Sequence, residues 1–307
     1  RLPNNLQGLL RFALEATKSE DAPNPSAWEQ MDPERRQFLE HVMKSMTVNV
    51  IEELEKAIKI LENEESSVGD CVGALEAIQD FIDHMDSANN FIKIGGSKII
   101  LSCLTSEHDE VKSGACGIIA ELAQNNPYCQ QHFMEQDILP KLINLLNDES
   151  TSPNALRAIS CLTRNFEPGL AEFIKIGGLE CILGCLESTN DKVSVKASFM
   201  ISSFSTEFPL VRDEFIKLGA CERLIAQINV SDDYDAKLDV VLSGLNVLTE
   251  VESGIAHCLD RNLGFESKLE EIKRHTAEKE EFKEVVEYTN TLLERCFNQN
   301  NGKETDR

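Results

Sequence analysis

The sequence predicts an all-α fold, a right-handed α-solenoid of about four three-helix repeats with helical caps at both ends. Three observations carry that prediction. First, a phrase recurs: FIKIGGSKIILSCL from Phe91, FMEQDILPKLINLL from Phe133, FIKIGGLECILGCL from Phe173 and FIKLGACERLIAQI from Phe215. Its starts are 42, 40 and 42 residues apart, and self-similarity at a period near 40 residues is the signature of stacked helical units. Second, an apolar stripe follows each phrase at helical spacing. Third, Pro127, Pro168 and Pro209 come just after three of these stripes, where proline stops one helix and opens the next.

The elements follow in order. Residues 1–30 read as an N-terminal segment, with a short amphipathic helix over Asn5 to Glu15 carried by Leu6, Leu9, Leu10, Ala13 and Leu14. Pro23 and Pro25 then mark a linker. Asp32-Pro33-Glu34 is a helix start, with an N-cap acid, Pro at N1 and a carboxylate near the positive dipole end. Capping helices are expected over 31–67, the repeats over 68–255, capping helices again over 256–297, and a disordered tail over 298–307. Val68 to Asp83 supplies one long helix of an incomplete first unit.

Within the phrase, Phe-Ile-x-Ile ends a short helix. Gly95-Gly96 and Gly177-Gly178 permit a sharp turn, because glycine takes positive φ without a Cβ clash. A second helix follows, with Ile99, Ile100 and Leu104 in one copy and Ile182, Leu183 and Leu186 in another. The third helices carry the stripes. These are Val111, Ala115, Ile118, Ile119 and Leu122; then Thr151, Ala155, Ala158, Ile159 and Leu162; then Val193, Ala197, Met200, Ile201 and Phe204; then Tyr234, Leu238, Val241, Leu242 and Leu245. After Leu259 the pattern degenerates, and Phe265 to Phe297 reads as two polar helices.

Of 307 residues, 41% are hydrophobic and only 6% aromatic, a Leu- and Ile-rich mix suited to packed helices. Net charge is −23, so the basic footprint of nucleic-acid binding is missing and anionic membranes are disfavoured. No window reaches the roughly 18–20 apolar residues of a membrane-spanning helix, and no signal peptide is visible, although the numbering opens at Arg1. The ten cysteines mostly fall inside apolar helical patterns, with no CxxC, which points to core packing in a reducing cytoplasm or nucleus. Cys129 and His132 form a lone CxxH without a second ligand pair.

Catalytic chemistry is not expected. HExxH, GxSxG, GxGxxG and P-loop patterns are all absent, and the carboxylates sit on predicted solvent faces. No metal, cofactor or catalytic residue is predicted. The candidate site is a groove lined by the third helices. Opposite the core stripe they present Glu121, Gln124 and Asn125, then Arg157, Arg164 and Asn165, then Lys196, Ser203 and Glu207, then Lys237. Of these, Glu121, Asn125, Arg157, Arg164 and Lys196 are the expected partner-binding residues.

The units resemble armadillo repeats in length, helix number and Gly-Gly turn. The Trp and Asn ladder of the nuclear import adaptors is missing, since the sole tryptophan, Trp28, lies outside the repeats. Asn5-Leu-Gln-Gly-Leu-Leu10, Met31-Asp-Pro-Glu-Arg-Arg-Gln-Phe-Leu39, His84-Met-Asp-Ser-Ala-Asn-Asn-Phe91 and Val195-Lys-Ala-Ser-Phe199 together resemble the armadillo-type nucleotide exchange factors of the 70-kDa heat-shock chaperones. The resemblance implies a non-catalytic, monomeric, cytoplasmic and also nuclear co-chaperone. Its concave face would grip one lobe of the chaperone's ATPase domain and promote ADP release, without nucleic acid or membrane. It maps the family's contacts onto Asp86, Ala88, Asn89 and Lys196. The alternative is a general armadillo scaffold that binds an extended peptide or an adaptor protein.

Overall fold

The computed structural model describes residues 49–231, 233–276 and 279–298. The helix expected over Asn5 to Glu15, the proline linker, the start at Asp32-Pro33 and the tail from Gln299 lie outside the described residues. The solenoid occupies the second of two units of the chain, Val50–Arg307.

The helix α1 (Val50–Glu62) buries Leu54, Ala57 and Ile58 against α2 (Val68–Phe81). Ser67 starts α2 with a capping box, its hydroxyl accepting from the Asp70 amide while the Asp70 carboxylate accepts from the Ser67 amide. Each such cap contributes about 1 kcal/mol. Three-helix units follow. They are α3 (Met85–Lys93), α4 (Gly96–Cys103) and α5 (Asp109–Ala123); then α6 (Pro127–Met134), α7 (Ile138–Asn144) and α8 (Ser152–Thr163); then α9 (Glu167–Lys175), α10 (Gly178–Cys185) and α11 (Asp191–Glu207); then α12 (Pro209–Lys217), α13 (Ala220–Ala226) and α14 (Ala236–Leu248).

The phrase residues fix the geometry of each unit. Phe91, Phe133, Phe173 and Phe215 are fully buried, each stabilising by about 2–3 kcal/mol. Only the first glycine of each pair takes positive φ: Gly95 at 91° and Gly177 at 80°, matched by Gly219 at 83° in the fourth unit and by Asp137 at 48° in the second. The second glycine serves close approach instead, because a Cβ on Gly96 or Gly178 would run into the Phe91 or Phe173 ring.

The third-helix stripes are core. Ala115, Ile118, Ile119, Leu122, Ala155, Ala158, Ile159, Leu162, Ala197, Ile201, Val241, Leu242 and Leu245 are at most 1% exposed. Tyr234 is the exception: it is 50% exposed and precedes α14, whose N-cap is Asp235. The helix starts later than the spacing predicts, and Tyr234 rests edge-on to Phe282 at 5.8 Å. Successive third helices pack on one another, α2 on α5, α5 on α8, α8 on α11 and α11 on α14. Polar ties join residues one repeat apart: Asn154 Nδ2 donates to Ser113 Oγ at 2.9 Å, and Arg212 Nη1 meets Glu250 Oε2 at 2.7 Å.

The two helices expected over Phe265 to Phe297 are present, and with the helix before them they form a fifth unit that caps the array. It comprises α15 (Glu252–Cys258), α16 (Phe265–Thr276) and α17 (Lys283–Leu293), with α17 packed on α14 as the next third helix. The expected boundary at 255/256 therefore falls inside α15. Two changes hide this unit from the repeat pattern. Cys258 stands where the phrase has Phe, and a 3-10 turn over Arg261–Leu263 is inserted before Gly264, whose φ is 60°.

Candidate partner-binding face

The third helices bring four of the expected residues together. Arg157 of α8 reaches back to Glu121 of α5, Nη2 to Oε2 at 2.7 Å. On the next helix, the Lys196 ammonium lies 5.1 Å from the centre of the Phe199 ring and the Arg164 guanidinium 5.3 Å from it. The two cations share one aromatic ring, an arrangement that holds both in place through its quadrupole. Burial, together with Arg164 and Arg157, holds the Lys196 ammonium below the usual lysine range, and Cys161 opposes the shift. Three cations thus gather here, of which Arg157 is paired with the Glu121 carboxylate, on a chain of net charge −23.

Beside this cluster is an open cleft of about 340 Å³ between the end of α8, the C-terminal half of α11 and the middle of α14, lined by Arg164, Asn165, Phe199, Ser203 and Glu207 among others. Its far wall is fixed by the hydrogen-bonded hydroxyls of Ser202 and Ser243, 3.1 Å apart. Phe199 lies within the VKASF segment but off the apolar stripe of α11. A large aromatic out of phase with the stripe was the signal for it, and its ring carries both cations.

The remaining expected residues lie elsewhere. Asn125 is an exposed turn residue at φ 51° between α5 and α6, and Asn165 does the same at 54° between α8 and α9. Asparagine suits that left-handed conformation at modest cost. The MDSANN segment lies in α3, which packs on α4, α5 and α6. Asp86 is exposed there. Asn89 is half-buried, its Oδ1 accepting from Asn126 Nδ2 at 3.0 Å, so it braces the start of α6. Ala88 corrects the expectation of direct contact. It is 2% exposed and packs in the core, because it falls on the same helix face as Phe91 and Ile92. Exposed apolar side chains do occur along this edge, at the first turns of the first helices: Met85, Tyr128 and Leu210, the last 84% exposed.

The Cys129–His132 pair is split between structural roles. Cys129 is buried beside Asn126 and Asn89, while His132 Nε2 bonds Ser97 Oγ at 2.9 Å. Among the described residues, no His, Cys, Asp or Glu group is arranged to hold a metal ion, and no helix is long and apolar enough to cross a membrane.

Comparison with known proteins follows the same lines. The family described as nucleotide exchange factor Fes1 matches residues 6–91, and the SIL1/FES1/HPBP1 C-terminal domain matches residues 87–192. Hsp70-binding protein 1 of Rattus norvegicus is 28% identical over 329 residues, spanning 100% of this chain and 90% of its own length. The Hsp70 nucleotide exchange factor FES1 of Debaryomyces hansenii is 30% identical over 230 residues, 72% of this chain and 79% of that protein. Among solved structures, the designed armadillo repeat protein YIII(Dq)4CqI superposes with a TM-score of 0.64 at 19% identity. It covers 79% of this chain and 99% of its own, a likeness of fold.

Proposed function

Because the chain belongs to the family of Hsp70 nucleotide exchange factors that includes Hsp70-binding protein 1 and FES1, we propose that its third-helix face grips the ATPase domain of Hsp70 and loosens its hold on ADP. The single observation that supports this placement is the cluster of Arg157, Arg164 and Lys196, the last two resting on the Phe199 ring. On an acidic chain a local cationic excess selects a partner surface bearing carboxylates and steers its approach. Asp86 and the apolar edge at Met85 supply a second contact. Ala88 acts from the core by shaping α3.

The reaction needs surface complementarity and no proton donor. A protein that binds the open, nucleotide-poor state of the chaperone better than the closed one shifts the population toward it. By linkage, nucleotide weakens the complex to the same degree. The chain acts as a monomer in the cytoplasm and nucleus, with no cofactor, nucleic acid or membrane partner. Ten unpaired cysteines support a reducing compartment.

The test is release of a fluorescent ADP analogue from Hsp70. The chain accelerates release, and Arg164→Glu with Lys196→Glu abolishes the acceleration while thermal unfolding stays cooperative. Unchanged release with excess unsubstituted protein overturns the proposal. Normal acceleration by the double variant moves the site off this face.

A further inference from the structure

A second groove lies at the other ends of α8 and α11 from the cleft beside Phe199. It sits between the end of α7, the end of α10 and the first turns of α8 and α11, and its volume is about 510 Å³. Ser152, the first residue of α8, and Val193, near the start of α11, belong to its lining. Arg164 and Glu207 of the first cleft stand where those same helices finish.

Two departures from the repeat open this groove. The first is Gly184 in α10, at the register position that Ser102, Asn144 and Ala226 fill in the other units. A Cβ added there meets nothing within 4 Å, so the missing side chain is what leaves the space. Neither a left-handed backbone nor a close approach calls for this glycine, and glycine inside a helix weakens it. The second departure is the early end of α7 at Asn144, after which the chain continues as a 3-10 turn over Leu145–Asn147. Thr151, fully buried, pins that turn, its hydroxyl donating to the Leu145 carbonyl at 2.7 Å. The wall is therefore set before any ligand arrives.

The groove is apolar below and acidic at its rim. Ile143, Leu146 and Val193 line it together with the thiols of Cys181 and Cys185. Burial raises both thiols above the usual cysteine range, Cys185 to about 11, so they stay neutral and act as soft apolar surface. The charged residues of the lining, Glu149 and Glu187, are both acidic. Glu149 accepts from a neutral hydroxyl, Thr189 Oγ1 at 3.3 Å, and Glu187 meets Arg223 Nη1 at 3.2 Å. An open groove does not enclose a small molecule as a ligand pocket does. It suits one side chain carried on a longer chain.

We propose that this groove docks a basic segment of a partner protein, with one leucine seated on the apolar floor and flanking lysine or arginine residues paired with Glu149 and Glu187. The acidic rim selects the flanking charges and rejects an acidic segment, while burial of the leucine supplies the affinity. The site is separate from the third-helix face and does not depend on the chaperone reading.

The test is a titration of the full chain, isotope-labelled at its Ile, Leu and Val methyl groups, with the peptide acetyl-Lys-Arg-Leu-Lys-Arg-amide. The expected result is a saturable shift of the Ile143, Leu146 and Val193 methyl signals. The same peptide with alanine for leucine binds about tenfold more weakly. Gly184→Leu fills the groove and abolishes the shifts, while its melting temperature does not fall, because the added side chain enters open space. Glu149→Gln weakens binding about two- to fivefold at low salt and makes no difference at high salt. The absence of a saturable shift at those methyl groups overturns the proposal. Equal binding of the alanine peptide, or undiminished binding by the Gly184→Leu chain, overturns it as well.

Discussion

Arg157 of α8 directs its charge at Glu121 of α5, Nη2 to Oε2 at 2.7 Å, and this pair sets the charge pattern of the face. Among the described residues no carboxylate lies within ion-pair reach of Arg164 or Lys196, which rest instead on Phe199. The Arg157–Glu121 side chains are partly exposed, so the pair contributes little to folding, about 0–1 kcal/mol. Glu121→Gln therefore leaves the urea midpoint almost unchanged. It frees Arg157, enlarges the cationic excess and speeds association with Hsp70 about two- to fivefold at low salt, a gain that fades as salt screens it. Stopped-flow binding at two ionic strengths checks this, and slower association would contradict the proposed polarity of the partner surface.

Phe199 holds two cations by its face. Phe199→Ala removes both contacts, about 0.5–1 kcal/mol each, and lets Arg164 and Lys196 wander. ADP release slows about tenfold with a small loss of stability. Phe199→Leu keeps bulk but has no ring face, so it matches Phe199→Ala in exchange while losing less stability than Phe199→Ala. Measured together, the two variants separate orientation from packing.

The repeat order was legible because stacking demands the same stripe at every period. Apolar positions such as Ile118, Ile159 and Ile201 cannot be exposed without opening the array. The fifth unit was not legible, because Cys258 fills a Phe position and the Arg261–Leu263 turn breaks the spacing. On the face, the charges of Arg157, Arg164 and Lys196 were predictable from helical phase. The Phe199 pairing was not, since it depends on how α8 sits against α11. Ala88 was named from its motif position alone, and helical phase puts it on the buried face of α3 with Phe91 and Ile92.

Two glycines separate conformational strain from steric collision. Gly177→Ala places a Cβ at φ 80° with only the end of the Glu180 side chain nearby, 3.7 Å away, and costs about 1–2 kcal/mol. Gly254→Ala instead drives a methyl into the Leu248 carbonyl, where α15 crosses the end of α14. Backbone cannot step aside as a side chain can. The second substitution therefore lowers the urea midpoint further than the first and loosens the terminal unit that holds Cys258.

Ala88→Arg is a folding variant. Residue 88 is 2% exposed beside Phe91, and an unpaired buried guanidinium costs on the order of 3–5 kcal/mol. Hydrogen exchange shows α3 and α4 unprotected while α11 to α14 stay protected. Exchange activity falls because α3 is lost. Full protection of α3 together with lost activity would instead restore Ala88 as a direct contact.

Lys196 illustrates the conflict between folding and binding. Its folded-state ionisation is held below the ordinary lysine value of 10.5, chiefly by burial, with Arg164 and Arg157 adding to the shift. Below the lowered value, folded and unfolded chains both carry the proton, and the folded chain bears the full penalty of a partly buried charge. Between that value and 10.5 the unfolded chain binds more protons, so this group's contribution to stability rises with pH. Above 10.5 the penalty is gone. Lys196→Met removes the charge while keeping the length of the side chain, so it is more stable than the unsubstituted chain at pH 7. The advantage narrows as pH climbs toward 10.5, and ADP release is impaired at every pH tested. Urea unfolding of the two proteins across that pH range measures the difference directly. A Lys196→Met chain that is less stable at pH 7 would show that the contact with the Phe199 ring outweighs the penalty of burying the ammonium.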